Sequence, residues 1–213
     1  MINVWLIRHG ESEANAGLPT QHPAKTPLTP KGQRQAQQVA AIIHHPPDWI
    51  IASPYWRAQQ TAQPLRDRFP AVPFLEWPVQ EFTYLSVARY HDTTIQQRQP
   101  LSDDYWQRND PFYVDGEGAE SFENLLLRVE TAYAQLYKLH ADRVVIFSHG
   151  RFIRAMLWAA LTGTTIVDAR RMQQFQSFIN SFSVPNGSIL KLQIQANDIW
   201  FSGIEIAHLL GFP

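Results

Sequence analysis

Short apolar runs that stop at turn residues alternate, over most of this chain, with longer stretches in which apolar positions recur every three or four residues. The first run is Val4-Trp5-Leu6-Ile7. It is short, partly β-branched and free of polar interruption, the pattern of a buried strand, and it ends abruptly in Arg8-His9-Gly10. Glu13 to Pro27 follows as a polar loop with turn residues throughout. Thr29-Pro30 then reads as an N-cap with Pro at the first helical position, and Ala36, Val39, Ala40 and Ile43 repeat at helical spacing up to His44-His45-Pro46-Pro47. The same sequence of events recurs at once. Trp49 to Ala52 is a second strand, Ser53-Pro54 a sharp turn, and Tyr55 to Phe69 a second helix with Arg57 in its first turn. Pro73 to Trp77 reads as a third strand, with Glu81 just beyond it.

From Phe82 to Gly118 the pattern changes. Aromatic and polar residues mix without a clean period, which predicts an insertion with some helix. Regular periodicity returns after Ser121, a candidate N-cap, with a core stripe of Leu125, Val129, Ala132, Leu136 and Leu139. Arg143 to Phe147 is a fourth strand, ending in Ser148-His149-Gly150, and Arg151 to Leu161 is a helix apolar nearly all round. A further helix is expected around Asp168 to Ser177. Asn186-Gly187 reads as a hairpin turn or strand entry, and Ser188–Ile194 and Ile199–Ile206 as the last strands, paired as a hairpin. Alternating strands and helices predict an α/β fold with a largely parallel sheet. No linker or repeat divides the 213 residues, so residues 1–213 read as one domain with an insertion over about 82–118.

Composition narrows the function classes. Lys and Arg number 18 against 19 Asp and Glu, a balance that gives no electrostatic case for nucleic acid or an anionic membrane as partner. No run approaches the roughly 20 apolar residues of a membrane span. The N-terminus lacks the basic and apolar regions of a signal peptide, so a cytoplasmic location is expected. The absence of Cys excludes thiol catalysis, disulfides and Cys-based zinc sites.

The chemistry gathers at strand ends. Parallel strands bring their carboxyl ends to one side of a sheet, where ligands of open α/β folds bind. Arg8 and His9 leave the first strand there, Arg57 follows the second, His149 ends the fourth, and Glu81 leaves the third near the same edge. A planar guanidinium suits phosphate or carboxylate oxygens, and an imidazole can act as nucleophile or base. His22, His44, His45, His91, His140 and His208 have no such context and read as surface or satisfied residues. No His-x-Asp or Glu-x-x-His spacing suggests a metal site, and no cofactor is expected.

Arg8-His9-Gly10-Glu11-Ser12 with Asn15, Ser53-Pro54-Tyr55-Trp56-Arg57-Ala58 and Ser148-His149-Gly150 together resemble the histidine phosphatase superfamily, with its phosphoglycerate-mutase-like fold. Pro27-Leu28-Thr29-Pro30-Lys31-Gly32 matches a recurrent stretch of that family, and the resemblance runs from Val4 to about Leu161. It implies a three-layer α/β/α arrangement with a mostly parallel central sheet and a helical or irregular cap. It also implies a phosphatase that hydrolyses phosphomonoesters without metal, through a phosphohistidine on His9. Arg8, Arg57 and His149 would hold the phosphoryl oxygens, Asn15 would add a hydrogen bond, and Glu81 would protonate the leaving oxygen and then activate water. Two guanidiniums and an imidazolium could neutralise those oxygens, and the same cations disfavour a proton on His9. Gln80 to Leu85 carries neither the Glu-Arg-x-x-Gly-like run of the mutases nor the Gly-x-x-Glu-Gly run of many small phosphatases. Glu76 and Glu11 are the nearest substitutes for Glu81.

Within the insertion Asp92, Asp103, Asp104, Asp110, Asp115 and Glu117 outnumber Arg89, Arg98 and Arg108, among several aromatics. The expected partner is a small-molecule substrate with one phosphate and an apolar or aromatic remainder, not a densely anionic bisphosphate. Two alternatives remain: a phosphoglycerate-type mutase, and a phosphate-binding or interaction module without catalysis. The oligomeric state is not legible in the sequence.

Overall fold

A computed structural model of the chain describes residues 1–163, 167–195 and 198–210. Six strands form one mixed sheet: β1 (Ile2–Arg8), β2 (Trp49–Ala52), β3 (Phe74–Glu76), β4 (Arg143–Ser148), β5 (Ile189–Gln195) and β6 (Asp198–Phe201), in the order β3-β2-β4-β1-β5-β6. The first four are mutually parallel; β5 pairs antiparallel with β1, and β6 with β5. The fold is therefore α/β, as expected, with its antiparallel part confined to the last hairpin. The final strand ends at Phe201, short of the expected Ile206. Asn186-Gly187 is a strand entry and not the hairpin turn: Gly187, at φ +75°, donates its N–H to the carbonyls of Arg8 and His9.

Both faces of the parallel strands are covered, which is why their sequences are apolar without alternation. Ile7, Ile50, Ala52, Val145 and Phe147 face helices α1 (Pro30–Ile42) and α2 (Trp56–Arg68). Val4, Leu6, Ile51, Val144 and Ile146 face the opposite layer, built from α4 (Phe122–Lys138), α5 (Gly150–Thr162) and α6 (Ala169–Ser181). Three helices start on side-chain caps that satisfy a free backbone N–H. Thr29 accepts from Gly32, Ser121 from Asn124, and Asp168 from Arg171.

The segment after β3 holds a 3₁₀ turn (Val87–Tyr90) and one helix, α3 (Gln99–Arg108). Its aromatics serve two purposes. Tyr105 and Trp106 are buried in a chain of rings that reaches Phe175 of α6, with Tyr84–Tyr105 centroids 4.7 Å apart and Trp106–Phe175 6.4 Å. Phe82 and Tyr84 belong to the same cluster of rings and, with Tyr90, also line a cavity at the carboxyl edge of the sheet. The loop after β1 is tied to the same segment by the Thr20–Thr93 bridge.

Pro27 to Gly32 fastens that first loop. The Thr29 N–H donates to Glu11 O at 2.9 Å, and Gly32 lies so close that a Cβ there would stand 2.0 Å from the same oxygen. Gly10 is equally tight, since a Cβ on it would be 2.4 Å from Gly32 O. Two glycines thus let a strand end and a helix start touch through their backbones.

Candidate active site

The cavity, about 280 Å³, opens at the carboxyl ends of β1, β2 and β4. Arg8, His9, Asn15, Arg57 and Glu81 all line it. His149 is fully buried behind His9, with ring centroids 4.9 Å apart, and packs edge-on against Tyr55. The mutually parallel strands bring Arg8, His9 and His149 here by register alone, because Arg8 lies opposite Ser148 in the β1–β4 pair.

The two nitrogens of His9 have different partners. Nδ1 is 2.7 Å from its neighbour's carbonyl, Gly10 O, and can only donate there. Nε2 is thereby left with its lone pair, which accepts a hydrogen bond from Arg57 Nε at 3.0 Å. Burial, together with the Arg57 and Arg8 guanidiniums, holds the His9 pKa well below its ordinary value, so the ring is neutral. Arg57 is anchored by donation to Pro23 O at 2.6 Å, and Arg8 by donation to Val184 O at 2.6 Å. Among the described residues the Arg8 Nε is buried without a partner.

His149 Nε2 is 2.8 Å from Ser53 Oγ, which already accepts the Tyr55 N–H at 3.2 Å. A hydroxyl donates once and accepts twice, so Ser53 can serve Nε2 in either sense, and Nδ1 is buried without a partner among the described residues. Burial first, then Arg57, His9 and Arg8, push the His149 pKa well below its ordinary value. These surroundings disfavour the imidazolium expected from the sequence, because charging His149 would bury a cation among cations.

Glu81 is held by backbone. Its Oε1 accepts the N–H of Arg151, in the first turn of α5, at 3.0 Å and its own neighbour's, Phe82, at 3.1 Å. Oε2 remains for other chemistry. Among the described residues it is the one carboxylate that lines the cavity. Glu11 is turned away onto Lys31 and Thr29, and Glu76 lies exposed against Gln59, so neither substitute reaches the cavity. The Asn15 oxygen accepts from Ser12 and from Asn186 Nδ2 at 3.0 Å, which fixes the side chain at the cavity edge.

Several contributors carried no signal in the sequence. Arg151 and Arg154 of α5 line the cavity alongside Arg98 of the insertion. The carboxylates that outnumber cations in the insertion do not line it; Asp115, for example, is paired with Arg89 at 2.7 Å. The excess of carboxylates in the insertion therefore does not describe the cavity wall, because composition counts residues without regard to the face they occupy. Ser53 belongs to a recognisable strand-end motif, but its role as the partner of His149 shows only in three dimensions.

Comparison with known proteins gives the following. A family model described as "Histidine phosphatase superfamily (branch 1)" matches residues 4–201. The adenosylcobalamin/alpha-ribazole phosphatase of Escherichia coli (strain K12) is 33% identical over 176 residues, 76% of this chain and 80% of that protein. The probable phosphoglycerate mutase GpmB of Enterobacter sp. (strain 638) is 32% identical over 163 residues, 70% of each. Among solved structures, the alpha-ribazole phosphatase from Shigella flexneri superposes with a TM-score of 0.72 at 25% identity, covering 95% of this chain and 96% of that one.

Proposed function

The chain belongs to the histidine phosphatase superfamily, branch 1, and is an enzyme of the histidine phosphatase type; from that premise we propose that it hydrolyses small phosphomonoesters through a phosphohistidine on His9. The observation that carries this reading is the pairing of His9, with Nδ1 committed to Gly10 O and Nε2 left as a neutral lone pair inside a cationic cavity.

The geometry supports the following steps. The phosphate dianion draws the Arg57 and Arg8 guanidiniums onto its oxygens, and the His149 Nδ1–H supplies a further donor. The Asn15 amide adds another at the rim. His9 Nε2 attacks phosphorus and the bond to the ester oxygen breaks. That oxygen takes a proton from Glu81, whose Oε2 is free to carry it. Water then attacks the phosphohistidine, Glu81 takes its proton back, and inorganic phosphate leaves with the His9 lone pair restored. Preorganised donors supply the charge stabilisation, which is the largest requirement of phosphoryl transfer.

Metal independence is supported by the two guanidiniums already at the phosphate end. Among the described residues, moreover, no three His, Asp or Glu side chains gather as a ligand set. Full activity in strong chelator is the expected result. Hydrolysis is favoured over mutase activity because Gln80 to Leu85 carries no mutase-like run beside Glu81. We treat residues 1–213 as one domain with a cap over 82–118 and place it in the cytoplasm as part of this proposal; no helix among the described residues is long and apolar enough to cross a membrane.

Quenching turnover of a radiolabelled monoester tests the mechanism. Acid-labile, base-stable label on the native protein and none on the His9→Ala variant is expected. Label on both, or isomer exchange without phosphate release, would overturn it.

A further inference from the structure

Among the described residues, five arginines line the cavity against one carboxylate, Glu81. They are not equally satisfied. Arg8, Arg57 and Arg98 each place a guanidinium N–H on a backbone carbonyl, at Val184, Pro23 and Thr93. Arg154 is tied to Gly150 O at 2.9 Å and to the last carbonyls of α6, at Ile179 and Phe182, where a helix C-terminus favours a cation. Arg151 is the exception. Its guanidinium meets only the Tyr84 hydroxyl, at a long 3.3 Å, while lying 4.9 Å from the centre of the Tyr84 ring. Its Nε, like that of Arg8, is shut off from solvent without an acceptor among the described residues, but Arg8 has the short bond to Val184 O besides. A sheltered guanidinium with unfilled donors is costly in an empty protein and favourable once a planar anion arrives.

Charge points the same way. A phosphate dianion offsets two of the five cations, and Glu81 one at most. Arg151 beside Tyr84 and Arg98 over Tyr90 leave positive charge in the cavity beyond the two guanidiniums that hold the phosphate. The volume, about 280 Å³, lies just below the usual range for drug-sized ligands, so the substrate is compact.

We propose that Arg151 is the anchor of a second anion subsite, and that the substrate is a small phosphomonoester whose remainder carries a carboxylate held by Arg151 beside Tyr84. Arg98, stacked 4.5 Å from the Tyr90 ring on the same cavity wall, adds field without needing direct contact. This rests on the phosphatase reading above and revises its substrate: the remainder is anionic as well as partly aromatic in its surroundings.

The test uses two matched pairs of esters: glycerate 3-phosphate against glycerol 3-phosphate, and 4-carboxyphenyl phosphate against its neutral carbamoyl isostere. The quantity read is the ratio of kcat/KM within a pair. A preference for the carboxylate of about tenfold to a hundredfold is expected in at least one pair, the scale of a hydrogen-bonded charge. In Arg151→Met that ratio falls towards one, and in Arg151→Lys part of it returns. Calorimetry with the His9→Ala variant reads the same preference as binding, independently of turnover. Equal ratios in the native protein, or a preference that survives in Arg151→Met, would overturn the subsite while leaving the phosphatase intact. Carboxylate-selective binding without hydrolysis of any ester would do the reverse.

Discussion

Arg57 Nε donates into the lone pair of His9 Nε2 at 3.0 Å, so the nucleophile is guarded by the group that will later hold its target. The guanidinium must pass from the ring to the phosphoryl oxygens before attack, and its second anchor, Pro23 O, lets it turn without leaving. Arg57→Ala should therefore lower kcat by about 10²- to 10³-fold, the loss typical of a preorganised oxyanion donor. Arg57→Lys should recover only part of it, because a point charge cannot bond the carbonyl and the phosphate in one plane. Steady-state rates with 4-nitrophenyl phosphate measure both; a fully active Lys variant would show that charge alone suffices.

The two buried imidazoles make stability depend on pH. His9 and His149 have folded pKa values held below their ordinary value of about 6.5 by burial and by neighbouring arginines. Above that value neither state binds the protons, and folding is unpenalised. As pH falls through 6.5 the unfolded chain takes up protons that the folded protein refuses, so stability declines towards the folded pKa values. Each residue contributes a slope of at most about 1.4 kcal/mol per pH unit. Urea denaturation between pH 7.5 and 5 should show this decline, flattened in His149→Asn. The acid limb of kcat/KM should likewise lie below pH 6.5; an inflection at 6.5 would mean that His9 titrates as an ordinary surface residue.

The strand ends were legible because each ends a run of residues buried on both faces, and such runs leave little choice of register or direction. Arg8, His9 and His149 could thus be placed at one edge before any coordinates. Glu81 was harder, since no local pattern says how a loop will bend; backbone donors from Arg151 and Phe82 hold its carboxylate. Arg151 itself was invisible. On a helix apolar nearly all round, an arginine in the first turn reads as surface, and its contact with Tyr84 of another element shows only in three dimensions. The carboxylates of the insertion misled for the related reason that number says nothing about facing.

Gly32 should tolerate no side chain. A Cβ there would sit 2.0 Å from the Glu11 carbonyl oxygen, a backbone atom that cannot move without displacing the His9 loop. Gly32→Ala should cost about 3 kcal/mol or more, the upper end of overpacking, and should lower activity with it. Gly17 is the control. It has φ +86° but nothing within 4 Å of its would-be Cβ, so Gly17→Ala should cost only about 1 kcal/mol of backbone strain. Chemical denaturation of the two variants separates steric clash from conformational strain, and equal losses would refute the distinction.

The loop that carries Glu81 is clamped from outside the cavity. Arg128 of α4 pairs with Glu120 at 2.6 and 2.8 Å and donates to the carbonyls of Pro78 at 2.7 Å and Gln80 at 3.2 Å; Glu120 in turn accepts the Thr83 N–H at 3.2 Å. The clamp thus grips the chain on both sides of Glu81, so Arg128→Met should act through that carboxylate. An alkyl phosphate needs its leaving oxygen protonated, and its hydrolysis should slow about 10- to 100-fold, the scale of a misplaced catalytic group. A 4-nitrophenolate needs no proton, so the first step on 4-nitrophenyl phosphate should be nearly spared while attack of water on the phosphohistidine is not. Rapid mixing should then show a burst of nitrophenolate followed by a slow steady state, in Arg128→Met and more strongly in Glu81→Gln. The double variant should lose little beyond Glu81→Gln alone, because a positioning residue has nothing to add once the group it positions is gone. Equal slowing of both esters, with additive losses, would instead make Arg128 a structural brace with no bearing on proton transfer.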